Sequence, residues 1–82
     1  MNKVLVTFYV PSIERRYEIF LPISKKIGNI LNLLTKSINE LSGGYYPLKE
    51  SSLYNKKNGK KYDLNITIKN SDIRNGSEVI FI

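Results

Sequence analysis

The chain has 82 residues and a net charge of +6, with neither cysteine nor histidine, and is read as one domain spanning residues 1–82. Without thiol or imidazole there is no disulfide, no zinc or iron–sulfur site of the usual kind, and no Cys- or His-based catalysis. Apolar residues at 41% and charged residues at 24% suit a folded core rather than disorder, and no apolar run nears the ~20 residues of a membrane-spanning helix.

Val4, Val6, Phe8 and Val10 alternate with Leu5, Thr7 and Tyr9, the period of a strand. Pro11 and Ser12 end it, because proline cannot donate to a ladder. Arg15–Leu21 alternates again, with Tyr17, Ile19 and Leu21 on one face, so the two runs form a hairpin. The opening Met1-Asn2-Lys3 and apolar run have the outline of a secretory signal. Thr7 and Tyr9 interrupt that run and no small-residue cleavage site follows, so a cytoplasmic protein is expected.

After Pro22, Ser24 is placed to cap a helix with its hydroxyl. Ile27, Ile30, Leu31, Leu34, Ile38 and Leu41 then recur at helical spacing as one apolar stripe. Gly43 stands where a left-handed glycine closes a helix. Lys25 and Lys26 in the first turn oppose the helix dipole, a local oddity that compositional bias also explains.

Residues 43–47 read as loop. Leu53-Tyr54 and Tyr62 flank Asn58-Gly59, the signal of a two-residue type I′ hairpin. Residues 64–75 mix Asn, Asp and Ser with Leu64, Ile66, Ile68 and Ile73, a compact loop pinned by its aliphatic side chains. Val79–Ile82 is the final strand. One helix covers one face of a small sheet, which predicts an α+β roll: a mixed sheet of four to five strands with its first and last strands central and parallel.

That order resembles the ubiquitin-like β-grasp fold over nearly the whole chain. Thr67-Ile68-Lys69-Asn70-Ser71-Asp72-Ile73 is similar to a Thr-Leu-Ser-Asp-Tyr-Asn-Ile segment of ubiquitin, and Gly59-Lys60-Lys61-Tyr62 to its Gly-Lys-Gln-Leu turn. Val4–Phe8, Tyr17-Glu18-Ile19, Leu21-Pro22, Lys25-Lys26-Ile27 and Asn75–Val79 resemble the YukD/EsaB family of Gram-positive bacteria. The resemblance implies an accessory or regulatory role in type VII (WXG100) secretion. Ubiquitin-type conjugation needs a free Gly-Gly tail, whereas Gly43-Gly44 is internal and Ile82 ends the sequence bluntly, so a non-conjugated protein is expected.

No carboxylate spacing matches an EF-hand or a paired-acid site, so neither metal, cofactor nor enzymatic activity is expected. Asp63 and Asp72 lie in turn contexts, where their carboxylates can cap backbone N–H groups. If Val4, Val6, Val79 and Phe81 face the helix, alternation puts Leu5, Ile80 and Ile82 on the open face of the sheet. The ubiquitin-like alignment adds Tyr54. These four are the candidate protein-binding surface, for a partner whose identity the sequence does not reveal. The alternative is a basic nucleic-acid-associated regulatory domain acting through Lys56, Lys57, Lys60 and Lys61, with Tyr45, Tyr46, Tyr54 and Tyr62 as a stacking platform. Arginine is scarce and lysine follows an Ile-, Asn- and Lys-rich composition, so specific nucleic-acid binding is not expected, nor is membrane insertion.

Overall fold

The structure, a computed structural model, describes residues 2–47 and 50–82. Two long strands, β1 (Lys3–Val10) and β2 (Arg15–Pro22), flank a short 3₁₀ turn at Pro11–Ile13 and pair antiparallel without a bulge from Lys3↔Pro22 to Val10↔Arg15. Glu14 takes the left-handed conformation that closes this turn. The helix α1 (Ile27–Leu41) follows, then the three-residue β3 (Leu53–Asn55) and β4 (Glu78–Phe81). The sheet order is β2-β1-β4-β3, with β1 and β4 parallel at its centre. The region around Lys61 and Tyr62, a candidate for a fifth strand, contributes only an isolated bridge, Tyr54↔Lys61.

Alternation sends Val6, Phe8 and Val10 of β1, Leu53 of β3, and Val79 and Phe81 of β4 under the helix, where Ile27, Ile30, Leu31, Leu34 and Ile38 meet them. Phe8 and Phe81 pack edge-on at 6.4 Å. Ile68 and Ile73 are fully buried and Ile66 packs against the cluster, so these three pin the long loop, whereas Leu64 is exposed. Leu41, expected in the stripe, is 58% exposed. Tyr46 takes the space under the last turn instead: its ring lies 5.3 Å from Phe81, and Ser42 Oγ accepts from its backbone N–H.

The helix ends as the sequence predicts. Gly43, at φ 69°, donates its N–H to the Glu40 carbonyl and Gly44 donates to that of Asn39, the paired bonds of a Schellman cap. Its start differs from expectation. Ser24 is not the cap; Lys26 precedes the first turn and makes no side-chain capping bond. The carbonyls of Ile66 and Leu64 accept instead from the N–H groups of Ile27 and Gly28, both at 2.9 Å. A distant loop thus does the work that a side-chain cap does elsewhere, so an N-terminal serine is dispensable.

Candidate functional site

The face of the sheet away from the helix carries side chains that stay half-buried or exposed. Its composition follows from the register. Arg16 of β2, Tyr9 of β1, Ile80 of β4 and Tyr54 of β3 lie side by side across all four strands. The next row holds Glu18, Thr7 and Glu78, and beyond it Leu5 pairs with Phe20. Tyr54 and Ile80 are half-buried, and Ile82, which exchanges backbone hydrogen bonds with Ser52, is 51% exposed.

Tyr54, Ile80 and Ile82 therefore share one end of this face. Leu5 does not join them. It lies four residues along β1 from Tyr9, ~13 Å away at strand rise, where its N–H donates to Asn75 Oδ1 and its carbonyl accepts from the Gly76 N–H.

A polar knot separates the two ends. Tyr9 donates its hydroxyl to Glu78 Oε2 at 2.7 Å, and Lys56 Nζ lies 3.7 Å from the same oxygen. The Lys56 ammonium also sits 4.4 Å from the Tyr9 ring centroid, a cation–π distance. The Tyr9 hydroxyl, and next the Lys56 charge, hold the Glu78 carboxyl below its ordinary range. Periodicity alone put Tyr9 on this face; its partnership with Glu78 required the parallel register, to which no local signal pointed.

The lysine loop is not a two-residue type I′ turn. Asn58 does not adopt positive φ, which such a turn demands, and Gly59 alone does at 72°. Asn55 organises a four-residue loop instead: its Oδ1 accepts from the N–H groups of Lys57 and Asn58, and its carbonyl accepts from Gly59. All four lysines are exposed, and Lys56 also folds back over Tyr9 and Glu78.

The tyrosine stacking platform of the nucleic-acid alternative does not assemble. Tyr46 is fully buried, and Tyr45, 81% exposed, lines a shallow hollow with Ser12, Ile13 and Arg15 at the opposite end of the sheet from the lysines. Tyr62 donates to Asp72 Oδ1 at 2.7 Å, and burial together with that carboxylate pushes its phenol well above the ordinary range. Asp63 caps the Asn65 N–H as expected, but Asp72 accepts from side chains, Tyr62 and Asn55, rather than from backbone. Among the described residues no cluster of three His, Cys, Asp or Glu side chains could hold a metal ion, and no helix is long and apolar enough to cross a membrane.

Neither a protein-family model nor a curated protein matches the chain. Solved structures do match it. A chain of the MycP5-free ESX-5 inner membrane complex superposes on all of this chain with a TM-score of 0.83 at 15% identity, and this chain spans only 21% of that one. The ubiquitin-like domain of the Mycobacterium tuberculosis type VII secretion protein EccD1 matches with a TM-score of 0.77 at 13% identity, over 100% of this chain and 99% of that one. The EccD5 ubiquitin-like domain of Mycobacterium xenopi gives 0.81 at 13% identity, over 100% and 94%. The fold is the ubiquitin-like β-grasp. At these identities the likeness carries the architecture, with one helix on a mixed four-stranded sheet, and nothing about partners. Tyr54, Ile80 and Ile82 are grouped on the sheet face opposite the helix.

Proposed function

We propose that this β-grasp chain is a non-catalytic protein-binding module, cytoplasmic and of the YukD/EsaB kind, serving a type VII secretion system as an accessory or regulatory component. The observation that carries the reading is the whole-chain match to a ubiquitin-like domain whose own name ties it to a type VII secretion system. The docking surface is the open face around Tyr54, Ile80 and Ile82, where two aliphatic side chains and an aromatic ring adjoin on the sheet face opposite the helix. Leu5 lies apart from it, paired with Phe20 toward the other end of the face. Specific nucleic-acid binding is the weaker reading, because Lys56 is held over Tyr9 and Glu78 and the tyrosines are dispersed.

The test is retention of type VII membrane-complex components from a detergent extract of the source cells by the immobilised chain. A double variant, Tyr54→Ala with Ile80→Ser, should stay folded and retain at least about tenfold less, as loss of modest hot spots implies. Retention of no such component overturns the secretion role. Equal retention by the folded variant overturns the surface.

A further inference from the structure

Two asparagines precede a glycine, Asn58 and Asn75. Glycine has no Cβ to shield its own nitrogen, so that nitrogen can approach the side-chain carbonyl carbon of the asparagine before it. Both pairs are exposed, and both glycines have positive φ, 72° at Gly59 and 89° at Gly76. Exposure and backbone conformation therefore do not separate them. Their hydrogen bonds do.

Asn75-Gly76 is tied to the centre of the sheet. Asn75 Oδ1 accepts from the Leu5 N–H and the Gly76 N–H donates to the Leu5 carbonyl, both at 2.8 Å. One residue of β1 thus holds the electrophilic carbonyl and the nucleophilic nitrogen together, and β1 is paired with β2 on one side and β4 on the other. Ser77 fixes the turn further: its carbonyl accepts from the Thr7 N–H at 2.9 Å and its Oγ from the Arg74 N–H at 2.8 Å. Asp72 and Glu78 line the same hollow as Asn75 and Gly76, two carboxylates against the single Lys57. Negative charge disfavours the amide anion through which the glycine nitrogen attacks.

Asn58-Gly59 is held only by its own loop. The Gly59 N–H donates to the Asn55 carbonyl at 2.8 Å, the Asn58 N–H to Asn55 Oδ1 at 3.3 Å, and Asn58 Oδ1 accepts from the Lys60 N–H at 2.9 Å. All three bonds lie within residues 55–60, so a local opening frees both reacting groups without unpairing a strand. Exposed loops open at small cost, core strands only near global unfolding. Lys57, Lys60 and Lys61 surround the pair in sequence, and their charge favours the anion.

We propose that Asn58 is a modification site of the folded protein, converted to aspartate and isoaspartate through openings of the loop that Asn55 organises, while Leu5 withholds Asn75 from the same chemistry. The Gly59 nitrogen gives up its proton and bonds to Asn58 Cγ. The bond from Cγ to Nδ2 breaks, and that nitrogen takes up a proton and leaves as ammonia. Water then adds to either carbonyl of the five-membered imide. Opening at the side-chain carbonyl gives aspartate; opening at the main-chain carbonyl gives isoaspartate, with the side-chain methylene now in the backbone. Either product lowers the net charge of +6 by one and sets a carboxylate among the loop lysines. The inference depends neither on the type VII role nor on the open face.

Prolonged incubation of the purified chain at neutral pH tests it, with peptide mapping by mass spectrometry and isoaspartate counted by enzymatic methylation of its carboxylate. In the folded chain Asn58 should react at least about tenfold faster than Asn75, and its products should leave a cation exchanger earlier than the parent. In guanidinium chloride, where neither pair is held, the two rates should come within about threefold of each other. Asn55→Ala removes the acceptor for the Lys57 and Asn58 N–H groups and should speed Asn58 about threefold or more, with Asn75 still protected, which reports an intact sheet. Equal rates in the folded chain, a tenfold difference that persists in guanidinium chloride, or an Asn58 rate that Asn55→Ala does not raise overturns the proposal.

Discussion

Tyr9 and Glu78 sit on neighbouring parallel strands, two register positions apart and so on the same face, and are joined by a 2.7 Å hydrogen bond from the phenol to the carboxylate. The bond crosses between the hairpin built by the first quarter of the chain and the strand built by its last residues. It also gives Glu78 a reason to remain ionised, since the donated proton favours the charged carboxylate.

The pH behaviour of that pair follows from its direction. Glu78 titrates below its ordinary value, first because Tyr9 donates to it and second because Lys56 is near. A carboxyl depressed by folding stabilises the native state above its unfolded pKa, and that contribution fades as pH falls through the folded value. Tyr9→Phe removes the leading cause. The Glu78 side-chain carboxyl carbon, followed by NMR between about pH 2 and 7, should then show a higher titration midpoint. An unmoved midpoint would mean that Lys56 alone sets it.

Tyr17 makes the opposite prediction. Its hydroxyl oxygen is buried and has no hydrogen-bond partner among the described residues, while its ring packs against the core. A buried unpaired hydroxyl costs ~1–3 kcal/mol of desolvation and returns nothing. Tyr17→Phe should therefore be neutral or raise stability by about 1 kcal/mol, read from the midpoint of urea unfolding at unchanged slope. A loss of about 1 kcal/mol or more would sink this account, because it would require a partner for the hydroxyl.

Elements whose causes are local were legible in the sequence. Alternation gave both long strands, helical spacing gave α1, and Gly43 marked the helix end to the residue. What escaped depended on contacts between distant segments. Ser24 is a sound cap by chemistry, yet the carbonyls of Leu64 and Ile66 reach the helix first, and nothing near Ser24 reveals that. Asn58-Gly59 has the composition of a tight hairpin turn, but Asn55 offers a side-chain acceptor that builds a wider loop. The candidate site divides in the same way. Tyr54, Ile80 and Ile82 group because alternation and one strand pairing suffice to place them, whereas the distance to Leu5 and the roles of Tyr9, Lys56 and Glu78 depend on how β1 and β4 align.

Gly28 is the position where that long-range capping can be tested. Glycine within a helix ordinarily costs ~1 kcal/mol relative to alanine, so Gly28→Ala on a free helix would stabilise. Here a Cβ would lie 3.1 Å from the Leu64 carbonyl oxygen and 3.3 Å from the Leu64 Cβ. That same carbonyl accepts the Gly28 N–H at 2.9 Å, and the Ile66 carbonyl two residues on accepts from Ile27. Making room for the methyl group means pushing the Leu64 carbonyl away and lengthening the bonds that close the first turn. The loop has little slack, because Ile68 and Ile73 are fully buried just beyond it. The expected outcome is net destabilisation of about 1 kcal/mol, with faster amide exchange at Ile27 and its neighbours in the first turn and no change in the last. Urea unfolding and hydrogen exchange on the two proteins check it. A more stable alanine variant with unaltered exchange at Ile27 would show that the loop yields freely and that the helix does not depend on it for its cap.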